Sequence, residues 1–194
     1  MLGIVLCGGQ SLRMGADKGL LSHQGKLWAK LASDKFESVK LTVKFSVNPY
    51  QEEKYVNHFE KTKLIIDHPS LNLKGPLLGV LSVHLANPDK DLFLLACDLL
   101  LMESRILEKL IEAQASNHSF EAYIFKKDDY QEPLCGIYTT AGLKKILNIL
   151  ELGKLTKHSM KFILSNLNVC EINVEDKDYH CFENFNYQVE INGL

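Results

Sequence analysis

The chain has 194 residues, of which 46% are apolar and 24% charged, and its formal net charge is -2 with histidine neutral. This composition is that of a globular protein and excludes the disordered, collagen-like and coiled-coil classes. Binders of double-stranded nucleic acid usually carry a basic excess, so the charge balance argues against a nucleic-acid partner. No apolar run reaches the roughly 18 residues that span a membrane. The length favours one domain, 1–194.

Targeting signals and cysteine usage indicate the cellular compartment of the protein. No cationic segment precedes the apolar start Met-Leu-Gly-Ile-Val-Leu, so we expect no signal peptide. The five cysteines are odd in number and far apart in sequence, which indicates neither a disulfide framework nor a zinc site. The seven histidines lack metal-ligand spacing and are expected to be ordinary surface or core residues. These features favour the cytoplasm.

Short β-like runs alternate with amphipathic helical runs along the chain. In chain order the predicted elements are strand 2–7, helix 27–37, strand 41–47, helix 51–60, strand 63–67, a helix beginning at Pro76, strand 92–97, helix 103–116, strands 120–126 and 134–139, helices 140–152 and 158–167, and strand 168–174. This order predicts a three-layer α/β/α sandwich with a mostly parallel sheet, mixed in the second half. Ligands bind such sheets at the carboxyl ends of the strands.

A glycine loop follows the first predicted strand, in the segment Leu-Cys-Gly-Gly-Gln-Ser-Leu-Arg-Met-Gly-Ala-Asp-Lys, residues 6–18. Glycines let backbone N–H groups approach phosphate oxygens, and Arg13 and Lys18 add positive charge there. The spacing is neither that of a Walker A loop nor that of a dinucleotide-binding GxGxxG loop. A tight turn beside a solvated basic loop is the other interpretation.

This segment resembles the signature of the molybdenum cofactor guanylyltransferase (MobA) family, whose pattern reads Leu-Ala-Gly-Gly-x-Ser-x-Arg-Met-Gly-x-Asp-Lys-x-Leu. The matching positions are Leu6, Gly8, Gly9, Ser11, Arg13, Met14, Gly15, Asp17, Lys18 and Leu20. Cys7 stands where the family usually has alanine. Related cytidylyltransferases tend to carry Ala-Ala-Gly where this chain has Cys-Gly-Gly. This difference favours guanine over cytosine as the base of the nucleotide substrate.

The resemblance extends over nearly the whole chain and implies a Rossmann-like nucleotidyltransferase fold. It implies a nucleotide-binding half, 1–100, and an acceptor-binding half, 101–194. The implied nucleotide contacts are Leu6, Cys7, Gly8, Gly9, Arg13, Lys18, Asn48, Asp67, Gly75 and Asp98. Of these, Lys18, Arg13 and Asp98 are expected to act in catalysis, and Asp98 is expected to hold Mg²⁺. A helix cap or salt bridge is the other interpretation of Asp98, and a turn is that of Asn48.

Weaker similarities concern the acceptor. Glu-Pro-Leu at 132–134 is similar to the family's acceptor-side motif, although a turn would also explain it, and residues 184–186 match its Asn-x-Asn. The resemblance therefore implies acceptor contacts at Pro133, Asn184 and Asn186. Two departures stand beside these matches. Three leucines follow Asp98 where the family has Asp-x-Pro, and the family's closing Thr-Pro-Glu-Glu is replaced by Tyr-Gln-Val-Glu.

The implied reaction is Mg²⁺-dependent transfer of GMP from GTP to molybdopterin, giving a guanine dinucleotide cofactor and pyrophosphate. The implied partners are GTP, molybdopterin, the molybdoenzymes or chaperones that receive the product, and a partner protein of cofactor biosynthesis. Two alternatives stay open. One is a related cytidylyltransferase that acts on molybdopterin or a sugar phosphate. The other is a nucleotide-binding homologue without turnover, which the two departures motivate.

Overall fold

A seven-stranded sheet forms the centre of the computed structural model, which describes residues 1–8 and 17–185. The strands are β1 Leu2–Leu6, β2 Ser22–His23, β3 Lys26–Leu27, β4 Thr42–Val47, β5 Leu64–Ile66, β6 Leu92–Ala96, β7 Ala122–Lys127, β8 Tyr130–Tyr138 and β9 Val169–Asn173. The α-helices are α1 Trp28–Ser38, α2 Glu52–Tyr55, α3 Pro76–Ala86, α4 Ser104–Ser116, α5 Thr140–Glu151 and α6 Met160–Leu164. β2 and β3 form a separate small hairpin.

The strand order of the sheet is β5-β4-β1-β6-β8-β7-β9. β8 runs antiparallel to β6 and β7, and the other neighbouring strands are parallel. The first four strands repeat the order of a dinucleotide-binding half, with β1 between β4 and β6. This order places the point where the chain reverses direction across the sheet at the carboxyl end of β1.

Helices cover both faces of the sheet, which explains why its central strands are apolar on both sides. α1 and α4 pack on one face, where Phe36 and Leu107 meet Val5 and Phe93. α3, α5 and α6 pack on the opposite face through another apolar cluster. The three-layer sandwich with a mostly parallel, mixed sheet is therefore confirmed.

Three elements differ from their predicted form. The helix predicted at 51–60 is α-helical only over Glu52–Tyr55 and continues as turns. The helix predicted at 158–167 is likewise short, spanning Met160–Leu164. The turn considered at Pro133 is wrong, because this proline lies inside β8, where the register with β7 shifts. Proline is tolerated at such irregularities because no ladder N–H is needed there.

Within the described part of the chain, no helix is long and apolar enough to cross a membrane. Strands from both halves of the sequence share one sheet. The division into a nucleotide-binding half and an acceptor-binding half stays a prediction.

Candidate functional site

A cavity of about 630 Å³ opens beside the carboxyl ends of β1, β4 and β5 and the start of α3. Five of the predicted nucleotide contacts line it: Leu6, Gly8, Asn48, Asp67 and Gly75. They come from four separate parts of the sequence and meet because parallel strands end at one edge of the sheet. A cavity of this size falls in the usual range for small-molecule sites.

Asp67 provides the acidic group of the cavity. It follows β5, and its backbone N–H donates to the Val47 carbonyl at 3.0 Å. Burial raises the pKa of its carboxyl to about 6. Gly79 of α3 lies beside this carboxyl. A Cβ there would make only ordinary contact with Asp67 Oδ1, at 3.6 Å, but would come within 2.3 Å of Ser46 Oγ. The carboxylate therefore faces the cavity at the cost of partial desolvation.

The end of β1 is held by β4. The backbone N–H groups of Cys7 and Gly8 both donate to the Ser46 carbonyl, at 3.0 and 3.1 Å. The Gly8 N–H is therefore already engaged by the sheet. Gly8 lines the cavity, and because it has no side chain it leaves the cavity wall open at this point. Cys7 is buried, its thiol is directed to the Val5 carbonyl, and it does not line the cavity.

Asn48 is both a turn residue and part of the cavity wall. Its Oδ1 accepts from the Tyr50 N–H at 2.9 Å, and its own N–H donates to Gln51 Oε1 at 2.9 Å. Gln51 is buried and links this turn to the glycine loop. Its Nε2 donates to the Cys7 carbonyl at 2.9 Å and to Asp17 Oδ2 at 2.7 Å.

Asp17 fixes the chain where it leaves the glycine loop. Its Oδ1 accepts from the Gly19 N–H at 3.1 Å and from the Tyr55 hydroxyl at 3.0 Å, in addition to the Gln51 contact. The carboxylate is thus engaged by three donors. This anchor sets the position of the next residue, Lys18.

Lys18 and Asp98 form an ion pair at the same edge of the sheet. Lys18 Nζ lies 2.9 Å from Asp98 Oδ2, and the side chains are 21% and 18% exposed. Asp98 follows β6, the neighbour of β1 on the side away from the cavity. The salt bridge considered from the sequence is therefore present, and it joins two residues predicted to be catalytic.

The three leucines after Asp98 have their own support. Lys35 of α1 donates from Nζ to the carbonyls of Leu99 and Leu100, at 3.0 and 2.6 Å. Burial lowers the pKa of Lys35 to about 8. Leu100 and Leu101 pack against the buried Trp28–Phe185 pair. These contacts hold the loop that follows Asp98, at the position where the family that the sequence resembles has a proline.

Two of the predicted acceptor residues, Pro133 and Asn184, lie near this loop. Because β8 runs antiparallel to β6 and pairs Cys135 with Leu95, Pro133 lies toward the carboxyl end of β6. Asn184 is exposed, and the next residue, Phe185, donates its N–H to the Asp98 carbonyl at 3.2 Å. Three further predicted contacts, Gly9, Arg13 and Asn186, lie outside the described residues.

The donor set suits a magnesium ion shared with a substrate. Asp98 offers one carboxylate at a strand end, whereas Asp17 is occupied by protein donors. Mg²⁺ is usually held by one or two carboxylates together with substrate phosphates and water, rather than by a complete protein cage. Asp98 thus fits the predicted role, with Lys18 as the cation that now neutralises it.

Sequence reasoning missed three residues at this edge. Tyr50 and Lys74 line the cavity, and the Tyr50 side chain is 90% exposed, so its ring is available for stacking. Gln51 joins the glycine loop to the turn after β4. A tyrosine directly after the Asn-Pro pair was the only local signal for the first of these. The role of Gln51 depends on contacts distant in sequence.

The chain is similar to several known proteins. A family model described as a MobA-like NTP transferase domain matches residues 3–168. The chain is 29% identical over its full length to a probable molybdenum cofactor guanylyltransferase of Geobacillus sp. (strain WCH70), covering 97% of it. It is 29% identical over 79% of its length to a molybdenum cofactor biosynthesis bifunctional protein of Synechocystis sp., and spans 43% of that longer protein.

A solved structure shows the same fold. It is that of molybdopterin-guanine dinucleotide biosynthesis protein A from Archaeoglobus fulgidus. The TM-score is 0.77 at 22% identity, with 100% of this chain and 96% of the other covered.

Proposed function

The chain belongs to the MobA-like NTP transferase family, and on this premise we propose that it transfers GMP from GTP to molybdopterin. The observation that carries the proposal is the placement of two groups at one edge of the sheet. A cavity containing Asp67 lies on one side of the end of β1, and the Lys18–Asp98 pair lies on the other. The first group suits a nucleoside and the second suits its phosphates. The names of the full-length relatives point to the same reaction.

The cavity suits a guanine base. The neighbouring N1–H and N2–H groups of guanine are two donors on one edge, and a carboxylate accepts from two donors side by side. Cytosine offers one amino group beside an acceptor nitrogen, so it pairs less well with Asp67. Tyr50 supplies an exposed ring at the cavity wall for stacking on the base. These groups support GTP over CTP as the substrate.

The ion pair suits the triphosphate. In the proposed reaction, a terminal phosphate oxygen of molybdopterin attacks the α-phosphorus of GTP. The bond from that phosphorus to the bridging oxygen breaks, and pyrophosphate leaves. Asp98 would hold Mg²⁺, which supplies positive charge to the phosphates. Lys18 would turn from Asp98 to the triphosphate and stabilise charge on the leaving pyrophosphate.

Chemistry of this kind depends on positioning and charge neutralisation more than on covalent steps by the protein. An acceptor phosphate is already ionised at neutral pH, so the proposal requires no general base. Pro133 and Asn184, on the Asp98 side, are proposed to contact the acceptor.

The test compares pyrophosphate release from GTP, with molybdopterin and Mg²⁺, in wild type, Asp98→Ala and Lys18→Ala. Loss of a preorganised charge typically lowers turnover by about 10²–10³-fold, and we expect at least that in both variants. Asp89→Ala and Lys90→Ala are matched controls, because these exposed residues precede β6 at its opposite end. Near-normal turnover in Asp98→Ala would contradict the assignment of Asp98 as the Mg²⁺ ligand. A change below about threefold in Lys18→Ala would contradict the catalytic role assigned to this lysine.

A further inference from the structure

A second group of potential ligands lies away from the cavity. Glu103, which precedes α4, meets His180 and Cys181 of the 3₁₀ helix Asp176–Phe182. Among residues 1–8 and 17–185, this is the one group of three or more His, Cys, Asp or Glu ligands within 4.8 Å of one another. The pattern could not be found by spacing, because Glu103 is 77 residues from His180.

The three separations match those around a tetrahedral zinc ion. His180 Nε2 lies 3.2 Å from Glu103 Oε1, and Cys181 Sγ lies 3.7 Å from Oε1 and 3.5 Å from Nε2. Tetrahedral Zn²⁺ with bonds of about 2.3 Å to sulfur and about 2.0–2.1 Å to nitrogen or oxygen gives about 3.6 Å for sulfur pairs and about 3.3 Å for the nitrogen–oxygen pair. The three atoms therefore occupy three corners of such a site without rearrangement.

Neighbouring charges hold the carboxylate in a suitable orientation. Arg105 Nε donates to Glu103 Oε2 at 2.7 Å, and its Nη1 donates to the buried Asp178 at 2.7 Å. Metal-bound carboxylates are usually oriented by such outer hydrogen bonds. Arg105 Nη2 also donates to Oε1 at 3.1 Å. This is the one arginine contact that a metal ion at Oε1 would replace.

The site is accessible from one side. The side chains of His180 and Glu103 are 46% and 42% exposed, whereas Cys181 is fully buried beneath them. An ion can thus enter from solvent and keep water as its fourth ligand. The mixture of thiol, imidazole and carboxylate is the ligand chemistry of zinc, and differs from the all-oxygen environment that Mg²⁺ prefers.

We propose that Glu103, His180 and Cys181 form a zinc-binding site. Binding releases the thiol proton of Cys181 to solvent, because the thiolate is the ligand. The ion would tie the start of α4 to the segment that carries Asn184 and Phe185. Phe185 in turn contacts the Asp98 carbonyl. The site itself stands on its own geometry and does not depend on the proposed function.

Cobalt is the probe, because Co²⁺ occupies zinc sites and reports thiolate ligation by a near-ultraviolet charge-transfer band. The reduced full-length protein is titrated with Co²⁺ under saturating Mg²⁺, which occupies the oxygen sites. We expect one equivalent to bind with this band, and Zn²⁺ to displace it. Cys181→Ser should abolish the band. His180→Gln should weaken Co²⁺ binding at least tenfold, since even outer-shell losses cost about 10–100-fold.

The controls remove the same residue types elsewhere. Cys170→Ser on β9 and the exposed His118→Gln should bind Co²⁺ as wild type does. His180→Gln alters an exposed side chain, so it tests the site even if Cys181→Ser fails to fold. Absence of the band in wild type would overturn the proposal, as would unchanged binding in folded His180→Gln.

Discussion

Among single residues, Asp67 is subject to two opposing effects, because the proposed function requires its carboxyl to be ionised and burial opposes ionisation. Its carboxylate faces the cavity, where the proposed function needs it ionised, yet burial raises its pKa from 3.8 to about 6. A folded-state pKa above the unfolded value means that the folded chain binds the proton more tightly. The stability of the fold therefore decreases as pH rises from about 4 to about 6.

Asp67→Asn should separate these effects. We expect the variant to be more stable than wild type at pH 7 by about 1–2 kcal/mol, after allowance for partial exposure, and this gain should shrink toward pH 4. Nucleotide binding should become weaker and lose its preference for GTP. Urea denaturation at several pH values gives the first result, and titration with GTP and CTP gives the second. Equal stability at pH 7 would contradict the burial argument.

Lys35 is the residue that positions the loop after Asp98. Its ammonium group holds two consecutive carbonyls, and its pKa of about 8 places its loss of charge near physiological pH. Burial is the largest cause of this lowered pKa, and the thiols of Cys135 and Cys181 act in the opposite direction. Because this cation holds two consecutive carbonyls, we expect it to fix the geometry of the loop that follows Asp98.

Lys35→Met should lower turnover by about tenfold, in the range of a lost positioning contact, and should raise the Mg²⁺ concentration required. Wild-type turnover should also decline as pH rises through about 8, because the neutral amine holds the carbonyls more weakly. The variant should lack this decline. Lys30→Met, an exposed change on the same helix, is the control. A pH profile shared by wild type and Lys35→Met would refute the positioning role.

Among the secondary-structure elements, β1 packs in the core along its length and reaches the cavity at its carboxyl end. Gly3 lies in the middle of this strand against α1, where a Cβ would come within 2.7 Å of Phe36 Cγ. Gly8 lies just after the strand, where a Cβ would meet Ser46 O and Asn48 N at 3.9 and 4.0 Å, which is ordinary contact. Packing therefore requires glycine at position 3 but not at position 8, where the proposed role is in nucleotide binding.

The paired variants Gly3→Ala and Gly8→Ala test this distinction. Gly3→Ala should destabilise the fold by about 1–3 kcal/mol through overpacking, measured by denaturant unfolding. Gly8→Ala should unfold as wild type does but bind GTP more weakly, because the methyl group enters the cavity wall. Wild-type affinity in folded Gly8→Ala would argue that the nucleotide does not approach this glycine.

Element prediction succeeded where the local pattern agreed with the final packing. The apolar runs at β1 and β6 and the proline that begins α3 gave strands and a helix close to their observed bounds. The pattern at 51–60 indicated a longer helix because Tyr55 and Phe59 are four residues apart. Their rings do stack, but the helix ends at Tyr55 and Phe59 lies beyond it. Pro133 indicated a turn because the register shift in β8 that accommodates it depends on β7.

At the scale of the whole molecule, the sheet order brings the predicted contacts together. Sequence similarity identified Asp67, Asn48 and Gly75, and the parallel strands place them around one cavity. It also identified Lys18 and Asp98, which form an ion pair 80 residues apart. The sequence could not predict the network around Gln51 or the meeting of Glu103 with Cys181. These contacts depend on packing between distant segments rather than on spacing.

In the proposed function, the cavity and the Lys18–Asp98 pair together bind GTP with Mg²⁺. The most direct measurement is the thermal shift of the wild-type chain with GTP, CTP, ATP and UTP, each with and without Mg²⁺. A ligand at a hundredfold excess over its dissociation constant stabilises the folded state by about 2.7 kcal/mol. We predict the largest shift with GTP and Mg²⁺. A shift selective for CTP would contradict the assignment of GTP, and no shift with any nucleotide would contradict nucleotide binding at this site.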